Sequence, residues 1–78
     1  LILPQAEEYQ ALFSISLKQV LETLNHPDTR EGLTTGRYTA EKTFGTHQVY
    51  VYYYRTLPLH GQEDETYAIV DFIGYAEV

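Results

Sequence analysis

The side chains of this sequence that could do chemistry are three histidines, two serines in a helical pattern, a short acidic run and one strand aspartate. His26, His47 and His60 each fall beside a turn or loop, whereas a zinc site needs three or four converging ligands, usually with a close pair on one element. The nearest approach to such a pair is His60 with Glu63, which runs on into Asp64 and Glu65. That pattern ordinarily means a solvated charge cluster, and at most weak incidental cation binding. Ser14 and Ser16 lie inside a helical pattern and no Gly-x-Ser-x-Gly elbow exists, so neither is expected to be a nucleophile. The glycines are isolated and form no phosphate loop. Asp71 could act as an acid or base if buried, but the simpler role for a strand Asp opposite Tyr52 is to accept the phenol's hydrogen bond. No catalytic residue, metal or cofactor is assigned, and the chain leans to a non-enzymatic reading.

The elements that must position these residues are few. With 78 residues there is room for one small domain. Such a chain buries only about 60% of the surface its unfolded form exposes. There is no Cys, so a partner is the expected supplement rather than disulfides. Eleven Asp and Glu against five Lys and Arg give a net charge of −6 with no basic run, which argues against phosphate-tracking nucleic-acid binding and suits a basic partner. No apolar run approaches the roughly 18 to 20 residues of a membrane span, so the chain reads as soluble, with a cytoplasmic location as the default. It starts at Leu1 rather than Met, as a processed or trimmed piece would.

From Pro4 to Asn25, Tyr9, Phe13, Leu17, Val20 and Leu24 recur at helical spacing, with Leu12 and Leu21 widening the stripe. One amphipathic helix over 4–25 is expected, opened by Pro4 in its first turn and closed at Asn25-His26-Pro27. Residues 27–36 read as a polar connector. Three strands follow. Residues 37–44 alternate, 47–57 contain Val49-Tyr50-Val51-Tyr52-Tyr53-Tyr54, and 66–76 carry Tyr67, Ile69, Val70, Phe72 and Ile73. Gly45-Thr46 has the form of a type II′ turn, and Pro58 to Glu65 reads as an exposed loop. The fold class is α+β, with one N-terminal helix packed on a three-stranded antiparallel meander.

Pairing Phe44 with His47 and Leu57 with Thr66 fixes both registers. Tyr38, Ala40, Val49, Val51, Tyr53, Ala68, Val70, Phe72 and Gly74 then share the face under the helix. Tyr50, Tyr52, Tyr54, Tyr67, Ile69, Asp71, Ile73 and Tyr75 share the other. One helix cannot cover both faces, and uncovered apolar surface rich in Tyr usually marks an interface. Tyr50, Tyr52, Tyr54, Tyr67, Ile69, Ile73 and Tyr75 are therefore the expected interface, for a homodimer or a protein partner. The alternative is a sheet face whose tyrosines simply meet water.

The stretches Phe44-Gly45-Thr46-His47-Gln48-Val49 and Ile73-Gly74-Tyr75-Ala76-Glu77-Val78, with the helix and connector over 17–32, resemble the RelE/ParE toxin superfamily. The resemblance implies ribosome-dependent mRNA cleavage supported by basic residues. Gln48 and Ala76 stand where basic residues are expected, leaving Arg37, Lys42 and Tyr75 as the remnant of such a site. It thus implies a catalytically silent or truncated cousin as the alternative to a small interaction module.

Overall fold

The computed structural model describes residues 1–34, 36–55 and 68–77. Among the described residues the fold is α+β, with two helices rather than one and four strands rather than three. These are α1 (Pro4–Leu12), α2 (Leu17–Asn25), β1 (Thr29–Thr34), β2 (Arg37–Phe44), β3 (His47–Arg55) and β4 (Ala68–Glu77). The strands form one antiparallel sheet in the order β1-β2-β3-β4. α1 packs against β4, and α2 against β2 and β3.

The expected single helix over 4–25 breaks between Leu12 and Leu17. Ser14 adopts φ 54, its N–H donates to the Ala11 carbonyl, and the Ile15 N–H donates back to the Gln10 carbonyl at 2.9 Å. This is a Schellman ending with Ser in the left-handed position that Gly normally fills. Two residues later Ser16 restarts the helix. Its hydroxyl accepts from the Gln19 N–H and the Gln19 side chain accepts from the Ser16 N–H, both at 3.2 Å. Serine competes for backbone hydrogen bonds and is favoured at caps, so Ser-Ile-Ser ends one helix and starts the next. Ile15 between them is buried at 4% exposure. Pro4 occupies the first turn of α1 as expected.

Part of the expected connector is strand β1, paired with β2 from Thr29↔Glu41 to Gly32↔Tyr38. It lacks apolar alternation because its helix-side position Arg30, opposite Ala40, serves the end of α2: the guanidinium donates to the Leu24 carbonyl. Lys42 Nζ donates to the His26 carbonyl at 2.9 Å, and Asp28 accepts from the Thr43 N–H at 2.8 Å. Two cations thus satisfy carbonyls at the negative end of the helix dipole. The β2–β3 hairpin has the expected Phe44↔His47 register, with Gly45 at φ 63 and Thr46 at negative φ, the sign pattern of a II′ turn.

β3 and β4 keep the expected register from Arg55↔Ala68 to Tyr53↔Val70 and then slip, pairing Tyr52 with Phe72 and Val51 with Ile73. Asp71 is the extra residue of a β-bulge. Because side chains alternate with period two, one inserted residue exchanges the faces of everything after it. Ile73 is therefore fully buried beside Val51, not on the open face, and Phe72 is 36% exposed, not in the core. The core holds Ala6, Ile15, Val20, Ala40, Val49, Val51, Tyr53, Val70 and Ile73. The expected strand ends at 56–57 and 66–67, and the loop 58–65, lie outside the described residues.

In urea unfolding, Ser14→Gly should raise stability by about 1 kcal/mol by relieving the left-handed conformation, and Ser16→Ala should lower it by about 1 kcal/mol. The bulge is checked by a pair of truncations. Ile73→Ala should cost about 3–4 kcal/mol and Phe72→Ala about half that, the reverse of the order an unbroken register predicts.

Candidate functional site: the open sheet face

Both helices lie on one side of the sheet or along its β4 edge, which leaves the other face uncovered among the described residues. By register that face carries Thr29 and Glu31 from β1, and Arg37, Thr39, Glu41 and Thr43 from β2. β3 adds Gln48, Tyr50, Tyr52 and Tyr54, and β4 adds Ile69, Phe72, Gly74 and Ala76. Its centre is aromatic. Tyr50 and Tyr52 are half-buried and Tyr54 is 38% exposed. Gly74 lies opposite Tyr50, and a Cβ there would sit 3.3 Å from the Phe72 ring and 3.4 Å from Tyr50 Cβ, so the absence of a side chain leaves room for the Phe72 ring.

An ion pair crosses this face. Arg37 Nη1 lies 2.9 Å from Asp71 Oδ2, and Nη2 donates to Oδ1 at 3.3 Å, a two-point contact from β2 to β4 that passes above β3. The guanidinium carbon lies 6.0 Å from the centre of the Tyr52 ring beneath it. Asp71 is thus held by Arg37 rather than by the Tyr52 phenol, because the bulge puts Phe72 opposite Tyr52. The Tyr50 hydroxyl donates to Gln48 Oε1 at 2.7 Å.

Of the expected interface residues, the structure brings Tyr50, Tyr52, Tyr54 and Ile69 together on the open face. Ile73 is in the core, and Tyr75 is on the helix side, stacked between Phe13 at 5.7 Å and His47 at 5.2 Å. Tyr67 lies outside the described residues. Phe72 and Gly74, expected under the helix, lie on the open face because they follow the bulge. The Phe72 ring meets Tyr52 edge-on at 5.3 Å and Tyr9 of α1 at 4.6 Å, and Tyr9 continues to Phe13 at 6.4 Å. A chain of rings therefore runs from Tyr52 around the β4 edge to His47 and Phe44, joining the open face to the helix side. Each step adds roughly 0.5–1.5 kcal/mol beyond area burial.

Among the described residues, the side chains that could do chemistry do not converge. His26 closes α2, and His47 stacks on Phe44 and meets Gln19 Nε2 at 3.4 Å. His60, Glu63, Asp64 and Glu65 lie outside the described residues. Among the described residues no three His, Asp or Glu side chains are grouped to hold a metal ion, and no helix is long and apolar enough to cross a membrane. Arg37 and Lys42, the cations suggested by the toxin resemblance, sit on opposite faces of β2, Arg37 on Asp71 and Lys42 at the end of α2. No protein-family model, curated protein or solved structure matches the chain.

A buried polar atom is left over among the described residues. Tyr53 is 1% exposed, its ring stacked on Tyr38 at 5.6 Å, and its hydroxyl has no hydrogen-bond partner among the described residues. An unpaired buried hydroxyl costs about 1–3 kcal/mol. Tyr53→Phe should therefore raise the unfolding free energy in urea by about 1 kcal/mol, with a higher midpoint; a lower midpoint would mean that the hydroxyl is paired in solution.

Proposed function

We propose that this chain is a small protein-interaction module that binds through the open face of its sheet. The observation that supports the reading is the placement of Tyr50, Tyr52, Tyr54 and Phe72 together on the sheet face that no helix covers among the described residues. Tyrosine suits such a role because its ring buries apolar area at low entropy cost while its hydroxyl stays paired, and aromatic residues dominate the energetics of interfaces. The ion pair over Tyr52 holds the central ring in place, which lowers the ordering cost of binding. Among the described residues the charged pair beside these rings, Arg37 and Asp71, is bonded to itself, which favours a reading of binding rather than turnover.

The test uses Tyr50→Ser with Tyr54→Ser, both on the open face and away from the core. Sedimentation and size-exclusion of the full chain, alone and in extract, should show an assembly that the double variant loses while its melting midpoint stays within a few degrees. A wild type that stays monomeric at high concentration and joins no complex removes the proposal.

A further inference from the structure

We infer that the open edge of β1, with the acidic depression beside it, receives an extended cationic peptide segment that adds a strand to the sheet. This rests on reading the open face as an interaction surface and names its occupant. The two edges of the sheet differ. At β4 the first residues of the chain already occupy the edge: Ile2 bridges Val70 in parallel, the Leu3 N–H donates to the Val70 carbonyl at 3.0 Å, and the Val70 N–H donates to the Leu1 carbonyl at 2.8 Å. β1 pairs on one side only among the described residues, and Thr29 to Leu33 are all exposed. An edge of this kind offers main-chain donors and acceptors to an incoming strand.

Chemistry beside that edge selects the charge of the occupant. Glu31 lies opposite Thr39, and Glu41 opposite Thr29, so the two carboxylates are diagonal neighbours on the open face. They flank a depression of about 310 Å³ completed by Thr29, Arg30 and Thr39. Neither carboxylate has a cation among the described residues. Glu41 accepts the Thr29 hydroxyl at 2.6 Å, Arg30 is held by the Leu24 carbonyl, and Arg37 is held by Asp71. Tyr50 and Tyr52 stand opposite Glu41 and Thr39 on β3. A Lys or Arg on the added strand can lay its stem over β1 and place its charge between the two glutamates, on the near side of the tyrosines.

An added strand sends alternate side chains to the open face, so a cation every second residue meets the acidic side while the main chain bonds to β1. The irregularity between Gly32 and Thr34 limits that ladder to Thr29–Gly32. A second copy of this chain fits less well, since each carries −6 and would bring its own Glu31 and Glu41 against the same carboxylates.

The test titrates the full ¹⁵N-labelled chain with a short blocked peptide of alternating Lys and Val, and with its Glu-Val counterpart. The lysine peptide should move the amides of Thr29 to Gly32 and of Thr39 to Glu41, an effect lost at about 0.5 M salt. Glu31→Gln with Glu41→Gln should weaken it about tenfold, with circular dichroism unchanged. Equal binding of the acidic peptide, or β1 amides that do not move, overturns the inference. So does a dimer that buries the β1 edge, which makes a second copy the occupant. In either case the Tyr50→Ser, Tyr54→Ser comparison still decides separately whether the tyrosine face is an interface.

Discussion

The pleat of a β-strand allows no partial turn of a side chain, so a single extra residue reassigns every position beyond it, and Asp71 is that residue in β4. Upstream of it Val70 is buried; downstream the buried position is Ile73, three residues on instead of two or four. The bulge is pinned from across the sheet by Arg37, whose guanidinium lies over Tyr52 to reach the Asp71 carboxylate. Both ends of this pair are partly exposed, so its contribution to stability is modest, about 0–1 kcal/mol. Its larger effect is geometric: it fixes which aromatic rings face outward, and thereby the make-up of the open face.

The break between the helices follows the same division of the sheet. A straight helix over 4–25 would have to cross the strands along one line, whereas the chain ends α1 along β4 and restarts α2 over β2 and β3. Turning Phe72 outward would leave a large ring at the sheet edge with little to touch. Tyr9, carried past that edge by α1, packs on it instead, and Phe13 one turn later reaches Tyr75 on the helix side. The bulge and the helix break are thus complementary, one presenting a ring at the edge and the other supplying the ring that covers it.

How much of this was legible in the sequence depends on whether the signal was local. β2, β3 and their hairpin follow from alternation, β-branched and aromatic density, and Gly45-Thr46, and Tyr50, Tyr52 and Tyr54 fall on the open face from the two-residue period alone. The helix break was also written locally, as Ser16-Leu17-Lys18-Gln19, a capping-box sequence inside an apolar stripe whose periodicity masked it. β1 gave no apolar alternation, because its helix-side Arg30 reaches the end of α2. The bulge had one hint, a lone charge in the last strand. Its meaning depended on Arg37, thirty-four residues earlier in the chain, and no local pattern carries a contact of that range.

The asymmetry of the two sheet edges gives the open face its orientation. A sheet with one covered face and two bare edges would be prone to pair indiscriminately, and proteins blunt such edges with charge, bulges and covering segments. Here β4 is closed by main-chain bonds from Leu1 and Leu3, and β1 is interrupted between Gly32 and Thr34 and carries Arg30 and Glu31. What remains accessible is a short ladder next to two glutamates that have no cation among the described residues, and a wall of tyrosines. Apolar strands find no partner for the carboxylates there and must desolvate them, a cost that disfavours the commonest aggregating segments. The same groups that make the face adhesive to a cationic strand therefore keep it from adhering to most others.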